Sequence, residues 1–345
     1  MKVSGLLVFV ALFLTTLCAV SQGREIIDMA GRRVTVPDRI RKVCTDWPIM
    51  MYLVYAVDPT LLAGLNTPFT EYQKEYAHPS VRALPVVGGF FGQGRTANME
   101  ALFKVKPDIV VAEIWGNLAL NRKSEELLAG LGIPVVYVKV DVTSDYMDAF
   151  LFLGGLLGKE KRARTLSDYG KAAFRETARV VKSIPVAERP RVYYAEGATG
   201  LFTECSTSFH GELIRLAGAK NVHTCSDGRL KVRGMEAVPL EQVMRYDPDV
   251  IVTMDRIFYA NVFKDERWRG VKAVKTGRVY LSPGFFLNWF DRPPSFMRLL
   301  GLKWLTWRLY PESYRIDMVK EAQRFYRLFL GVDMPEDKLK KALYR

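Results

Sequence analysis

Two residue types dominate the stretches of this chain that could bind a ligand. Arginine offers a fixed planar fork for carboxylate or oxyanion groups, and aromatic faces bury apolar ligand surface. Trp47, Phe91, Arg95 and Trp115 fall between candidate strands and helices of the first half, and His210, Arg233, Arg256 and Trp289 do so in the second. Set face to face, the two groups would form a cleft suited to a flat or bulky anion. Any one of them alone reads equally well as ordinary packing or a surface ion pair, so the set carries the argument. With only three histidines (His78, His210 and His223), a bare transition-metal site built on several imidazoles is hard to assemble. His210, between a Ser/Thr-rich loop and a helix, is the best single candidate, with a locally bonded helix-start residue as its alternative.

Signatures of enzymes are missing from the chain. There is no G-x-S-x-G, no H-E-x-x-H and no G-x-G-x-x-G opening a helix after a strand. The run from Gly154 to Glu160 approaches a phosphate loop but fails on spacing, and Glu160 stands where a magnesium-holding hydroxyl belongs. The glycine run at 88–94 could cradle an anion through backbone N–H groups. No catalytic residue and no protein metal ligand is assigned, and no cofactor is expected.

The elements that must position these residues come in two similar sets. N-M-E-A-L-F-K-V-K-P-D-I-V-V-A-E at 98–113 reads as an amphipathic helix, a Pro-Asp turn and a buried strand at 109–112. P-L-E-Q-V-M-R-Y-D-P-D-V-I-V-T-M-D at 239–255 repeats the pattern. Glu100 precedes its Pro-Asp by seven residues, and so does Glu241. The duplication implies two α/β lobes, each with a mainly parallel sheet flanked by helices. Strands are expected at 40–43, 61–65 and 135–138, then at 191–195, 250–253 and 278–281, with a hairpin at 25–36. Between the lobes, apolar residues recur at helical spacing from 159 to 184 and Pro185 stops them. At 1.5 Å per residue such a helix is about 39 Å long, the reach of a strut joining two bodies. Aromatic helices at 296–309 and 316–330 are expected to cover the core. The boundaries that follow are a leader at 1–23, a first lobe at 24–158, a linking helix at 159–185 and a second lobe with C-terminal helices at 186–345.

Composition narrows the partners. The chain has 345 residues, 49% of them hydrophobic, enough for two ordinary cores. Its formal charge of +13 is dispersed, without zinc-finger spacing or a basic–aromatic stripe, so nucleic acid is not an expected partner. Lys2, an apolar run at 6–17 and the small residues Ala19 and Ser21 describe a cleaved export signal, too short to span a bilayer. The exported product would keep Cys44, Cys205 and Cys225. The odd count leaves at least one unpaired, and spacing alone leaves open whether Cys205 and Cys225 are bonded.

The chain resembles the exported substrate-binding proteins of iron–siderophore, haem and cobalamin ABC importers. The likeness rests on I-I-D-M-A-G-R-R-V-T-V-P, on the two duplicated segments and on S-F-H-G-E-L-I-R-L-A-G-A-K-N-V, and covers nearly all of the mature chain. It implies two lobes rigidly joined by one long helix, and a monomer that captures a small anionic metal chelate for a permease and its ATPase at the inner membrane. It also implies permease docking by one glutamate per lobe, which by motif position would be Glu100 and Glu241. On this reading Arg95, Arg233 and Arg256 neutralise the ligand and Trp47, Trp115 and Trp289 line its apolar side. The long aromatic ending, from Asn288 to Glu312, departs from the simplest members and is similar to relatives associated with molybdate, tungstate or nickel and cobalt chelates. Other readings stand beside an iron complex: a compact tetrahedral oxyanion such as molybdate or tungstate, or a nickel or cobalt chelate, as cargo; an exported enzyme built on Cys44 with a histidine; and an interaction or structural protein with no ligand-sized cleft.

Overall fold

The computed structural model describes residues 23–89, 97–114, 118–225 and 234–344. Its two parallel sheets are separate. The first orders Val43–Thr45, Ile109–Glu113 and Val135–Val138 side by side. The second orders Val279–Leu281, Val250–Thr253, Arg191–Ala195 and Lys220–Asn221. The strand at 109–113 is buried throughout, as is that at 135–138. That is why they read as unbroken apolar runs rather than as alternation. Gly23–Ile27 and Arg33–Pro37 form the expected hairpin. Its turn is tied to the first sheet where Asp28 accepts the Tyr137 N–H at 3.1 Å.

The duplicated unit has the same construction twice. Met99–Val105 and Leu240–Tyr246 each end on a left-handed residue, Lys106 (φ 49°) and Asp247 (φ 40°). Proline then bars further helix, and the aspartate after it serves the neighbouring strand. Asp108 accepts the N–H groups of Arg41 and Lys42 at 2.6 and 2.9 Å, and Asp249 accepts that of Arg191 at 2.8 Å. The Pro-Asp pair therefore both stops the helix and sets the strand that follows.

The long helix spans Glu160–Ser183, about 36 Å at 1.5 Å per residue. Ala163, Leu166, Tyr169, Gly170, Ala173 and Val180 form its buried face. Gly170 is a helix weak point by propensity, yet a Cβ there would lie 2.6 Å from the Met147 sulfur. Close packing against the helix at Asp145–Leu157 explains the residue. The sequence reading did not anticipate that helix, because Gly154 and Gly155 resembled a loop. A Cβ on Gly154 would come 2.3 Å from that of Ala163, so this glycine serves helix contact.

Three C-terminal helices, Arg298–Leu309, Met318–Leu330 and Glu336–Leu343, close the structure. Phe325 stacks on Phe329 at 4.2 Å, and Phe296 on Phe329 at 5.2 Å. Buried Lys303 fastens these helices to the long one, lying 2.9 Å from Glu176 and 2.7 Å from Glu321, which also accepts the Tyr169 hydroxyl at 2.6 Å. Lys303→Met would leave the buried Glu321 carboxylate without its cation, and we expect a loss of about 3 kcal/mol in urea unfolding. Burial works against ionised Glu176, but Lys303 and Tyr314 outweigh it and lower its pKa below 4.5. The stabilisation from Glu176 is therefore complete above that value and lost as pH falls through the lowered one.

One continuous apolar core crosses from lobe to lobe. Phe286, just beyond the last strand of the second sheet, inserts among Tyr52, Tyr55 and Phe69 of the first lobe at 6.1, 5.1 and 5.3 Å. The lobes are thus joined by the long helix, the C-terminal helices and this aromatic plug. Two strand expectations shift. The first strand lies at Val43–Thr45 rather than 40–43. The segment at 61–65 contributes only single bridges at Leu62 and Leu65 after a short 3-10 turn, Pro59–Leu61.

Candidate ligand-binding cleft

A cleft of about 700 Å³ opens between the lobes. Trp47, Tyr52, Thr67 and Gln73 line it from the first, and Phe209, His210, Met235 and Arg292 from the second. Trp47 follows the carboxyl end of Val43–Thr45, where open parallel sheets receive ligands. The loop beneath it is fixed by buried polar groups. Asp46 accepts the Glu113 N–H at 3.0 Å, and Asn66 donates to the carbonyls of Thr45 and Gly88, both at 2.7 Å. Gly89 passes so close that a Cβ would lie 2.6 Å from the Asp46 carbonyl, a contact only glycine permits.

On the opposite wall, His210 precedes the short helix Glu212–Leu216 and is anchored at both ends. Its backbone N–H donates to the Ser208 hydroxyl at 3.1 Å, and that hydroxyl donates to Glu204 at 2.6 Å. Its Nδ1 lies 2.9 and 2.8 Å from the two carboxylate oxygens of fully buried Asp291. With Nδ1–H committed to Asp291, the lone pair of the neutral ring sits on Nε2. This carboxylate–imidazole pairing is the kind that fixes a ring to serve as a ligand or acceptor.

Arg292 sits beside it, bonded to Glu196 and Glu204 and 3.8 Å from Asp291. Burial works against the guanidinium charge, but Glu196 and Asp291 more than offset it and hold the pKa above its ordinary value. Burial raises the Glu196 carboxyl, with Arg292 pulling the other way. Three buried carboxylates thus face one guanidinium and one imidazole. The expectation of a cleft lined by free basic groups needs revision for this wall, because Arg292, the one arginine or lysine in its described lining, is already paired.

Four sequence candidates, Phe91, Arg95, Trp115 and Arg233, lie outside the described residues. Trp47 and His210 meet across the cleft. Trp289 does not reach it. Its ring is fully buried and its N–H donates to the Tyr326 hydroxyl at 2.9 Å, since a chain leaving a strand can turn inward as readily as outward. Arg256 lines a separate cavity with Tyr72 and Tyr76. Glu100 and Glu241 are exposed on the first turns of the duplicated helices. Sequence reasoning missed Asp291 and Arg292, although N-W-F-D-R-P-P stood out as unusual. Charge and proline at the mouth of the second lobe were the available signal.

Cys205 and Cys225 form a disulfide, closing the loop that carries Ser208 and His210. Losing a cross-link over 20 residues should cost about 3 kcal/mol, read as a lower urea midpoint after mutation of both cysteines to alanine. Cys44 is buried and its thiol is pushed up to about 12, chiefly by burial. It stays protonated at neutral pH and is not an activated nucleophile. The native protein should resist thiol alkylation at pH 8 and react only when unfolded.

The profile of the family described as "Periplasmic binding protein" matches residues 68–284. This chain belongs to that family. It is accordingly a solute-binding protein of an ABC importer, within a family of extracytoplasmic binding proteins. An ABC transporter solute-binding protein from Sulfurospirillum deleyianum has the same fold, with TM-score 0.84 and 36% identity over 93% of this chain and 99% of that one. The molybdate-binding protein MolA of Haemophilus influenzae is 24% identical over 98% of this chain and 99% of its own length. Its molybdate-bound structure superposes with TM-score 0.69 at 22% identity, covering 90% of this chain and 99% of that one. The Fe(3+)-citrate-binding protein YfmC of Bacillus subtilis is 22% identical over 53% of this chain and 56% of its own. Among the described residues, no helix is long and apolar enough to cross a membrane, and no group of three or more His, Cys, Asp or Glu could hold a metal ion.

Proposed function

We propose that this protein captures an intact metal complex, an iron chelate in the first instance, in the interlobe cleft and hands it unaltered to an inner-membrane permease. The observation that carries the reading is His210, held through Nδ1 by buried Asp291 at the cleft wall, which leaves the lone pair of the neutral ring on Nε2. One imidazole supplies one coordination position, so the metal must bring its remaining ligands with it. Trp47, Tyr52 and Phe209 give the organic part of such a complex apolar faces. Arg95 and Arg233 remain proposed partners for its acidic groups.

A second reading, a molybdate-type oxyanion, is favoured by the end-to-end similarity to MolA. Two observations weigh against it. A cleft of about 700 Å³ is of a size that encloses a drug-sized ligand, and Arg292 already commits Nε and Nη2 to Glu196 and Glu204. Competition between molybdate and ferric chelates, followed by tryptophan fluorescence, separates the two. His210→Ala should weaken chelate binding by at least about tenfold, the equivalent of about 1.4 kcal/mol. Unchanged affinity in that variant would remove the imidazole from the site.

Docking is proposed at Glu100 and Glu241. The support is their matched place in the duplicated helices, each followed three residues later by an exposed apolar side chain, Phe103 or Met244. Glu100 is paired with Lys104 at 2.8 Å, but both side chains are more than three-quarters exposed, so the pair yields readily to a partner's cation.

A further inference from the structure

The helix Glu71–Tyr76 borders two separate cavities. Gln73 borders the cleft, whereas Tyr72 and Tyr76, one turn apart, border a smaller cavity of about 170 Å³. Three structural units meet there. The first lobe gives the two tyrosines, the second gives Arg256 and Ser282, and the last helix gives Lys338 and Lys341. Proline and phenylalanine, Pro283 and Phe285, complete the wall. Three cations converge on a space whose described lining contains no carboxylate, and Lys338 pairs with Glu75 at 3.5 Å. Lys338 also donates to the Tyr76 hydroxyl at 3.2 Å, and Arg256 shares the lining with Tyr72.

Like charges drawn together from distant parts of a chain repel, modestly where water screens them, and an anion placed between them relieves that repulsion. Among the described residues, the Lys338–Glu75 contact offsets only a part of that repulsion. A tetrahedral oxyanion placed among Arg256, Lys338 and Lys341 would accept charge-assisted hydrogen bonds from all three and further ones from the phenols. The volume suits an anion of that size and is too small for an organic chelate. We propose that this cavity is a second ligand site, separate from the cleft, which binds a small multivalent oxyanion of the phosphate or sulfate class and thereby ties both lobes to the last helix.

The proposal stands on residues that take no part in the cleft reading, so each can fail alone. The test is calorimetric titration of the full mature protein with inorganic phosphate, at constant ionic strength against chloride, together with thermal unfolding. Wild type should show saturable binding of one phosphate and a melting temperature that climbs with phosphate concentration by mass action. The variant Arg256→Gln/Lys338→Gln/Lys341→Gln should lose at least about tenfold in phosphate affinity, and His210→Ala should lose none. The three side chains are exposed, so folding of the triple variant is checked by circular dichroism, with Lys341→Gln alone as a milder version. Phosphate binding that is absent from wild type, that matches chloride, or that survives the triple substitution would overturn the site.

Discussion

Glu100→Ala/Glu241→Ala is expected to reduce cellular uptake of the cargo to background while leaving cargo affinity within about twofold. Both side chains are exposed and neither is among the residues that line the cleft, and surface substitutions away from special features shift free energies by less than about 0.5 kcal/mol. Docking is a different matter. Truncating one member of a buried, hydrogen-bonded charge pair at an interface costs about 2–5 kcal/mol. Lost at both lobes together, that corresponds to at least three decades of affinity for the permease. Each single variant should retain partial uptake, because one lobe still docks. Radiolabelled uptake in cells expressing each variant, beside equilibrium binding by the purified proteins, provides the check. Uptake that persists in the double variant would show that the permease contacts some other surface.

Arg292→Ala is the second large effect, and it acts on stability. Glu196, Glu204 and Asp291 are each 4% exposed or less, and Arg292 is the cation that touches all three. Its removal strands buried carboxylates, which typically costs about 3–5 kcal/mol. The direction with pH follows from Glu196. Burial already raises its pKa above 4.5, and losing Arg292 removes the group that opposes the rise. A folded state that binds the proton more tightly than the unfolded one gains stability as pH falls and loses it as pH rises through the raised value. The deficit of the variant should therefore be larger at pH 7.5 than at pH 5, as measured by urea unfolding at each pH. Adding Glu196→Gln to Arg292→Ala should recover part of it. A deficit that does not vary with pH would mean that Arg292 acts through packing of its stem rather than through charge.

Regular elements with a strong period were the most legible in the sequence. The duplicated helix–turn–strand units, the long helix ended by Pro185 and the buried strands at 109–113 and 250–253 all announce themselves locally, by apolar spacing and a Pro-Asp stop. Glycine misled at 154, where tight helix packing and a phosphate-binding turn require the same small residue. The helix at 336–343, with only Leu339 and Leu343 buried, presents too short an apolar face to stand out.

The site was harder to read because its defining contacts join residues far apart in the chain. His210 meets Asp291 across 81 positions, and Arg292 meets Glu196 across 96. No spacing rule reaches that far. Trp289 and Arg292 are three residues apart, yet one turns into the core and the other faces the cleft, a choice made by the aromatic packing of Tyr326 and Phe290 rather than by local propensity. Arg256 could be placed beyond a strand end from sequence, but the last helix, which draws it into a separate cavity, was not among the elements expected.

The central claim is that the interlobe cleft holds a metal-bearing guest and does not transform it. Native mass spectrometry with elemental analysis, on protein purified from its own extracytoplasmic space, tests this most directly. The account predicts one guest per chain that contains a metal and its organic ligands, is recovered with its mass unchanged after incubation, and is depleted in His210→Ala. Protein carrying only a bare oxyanion, or a guest whose mass changes while bound, would contradict it.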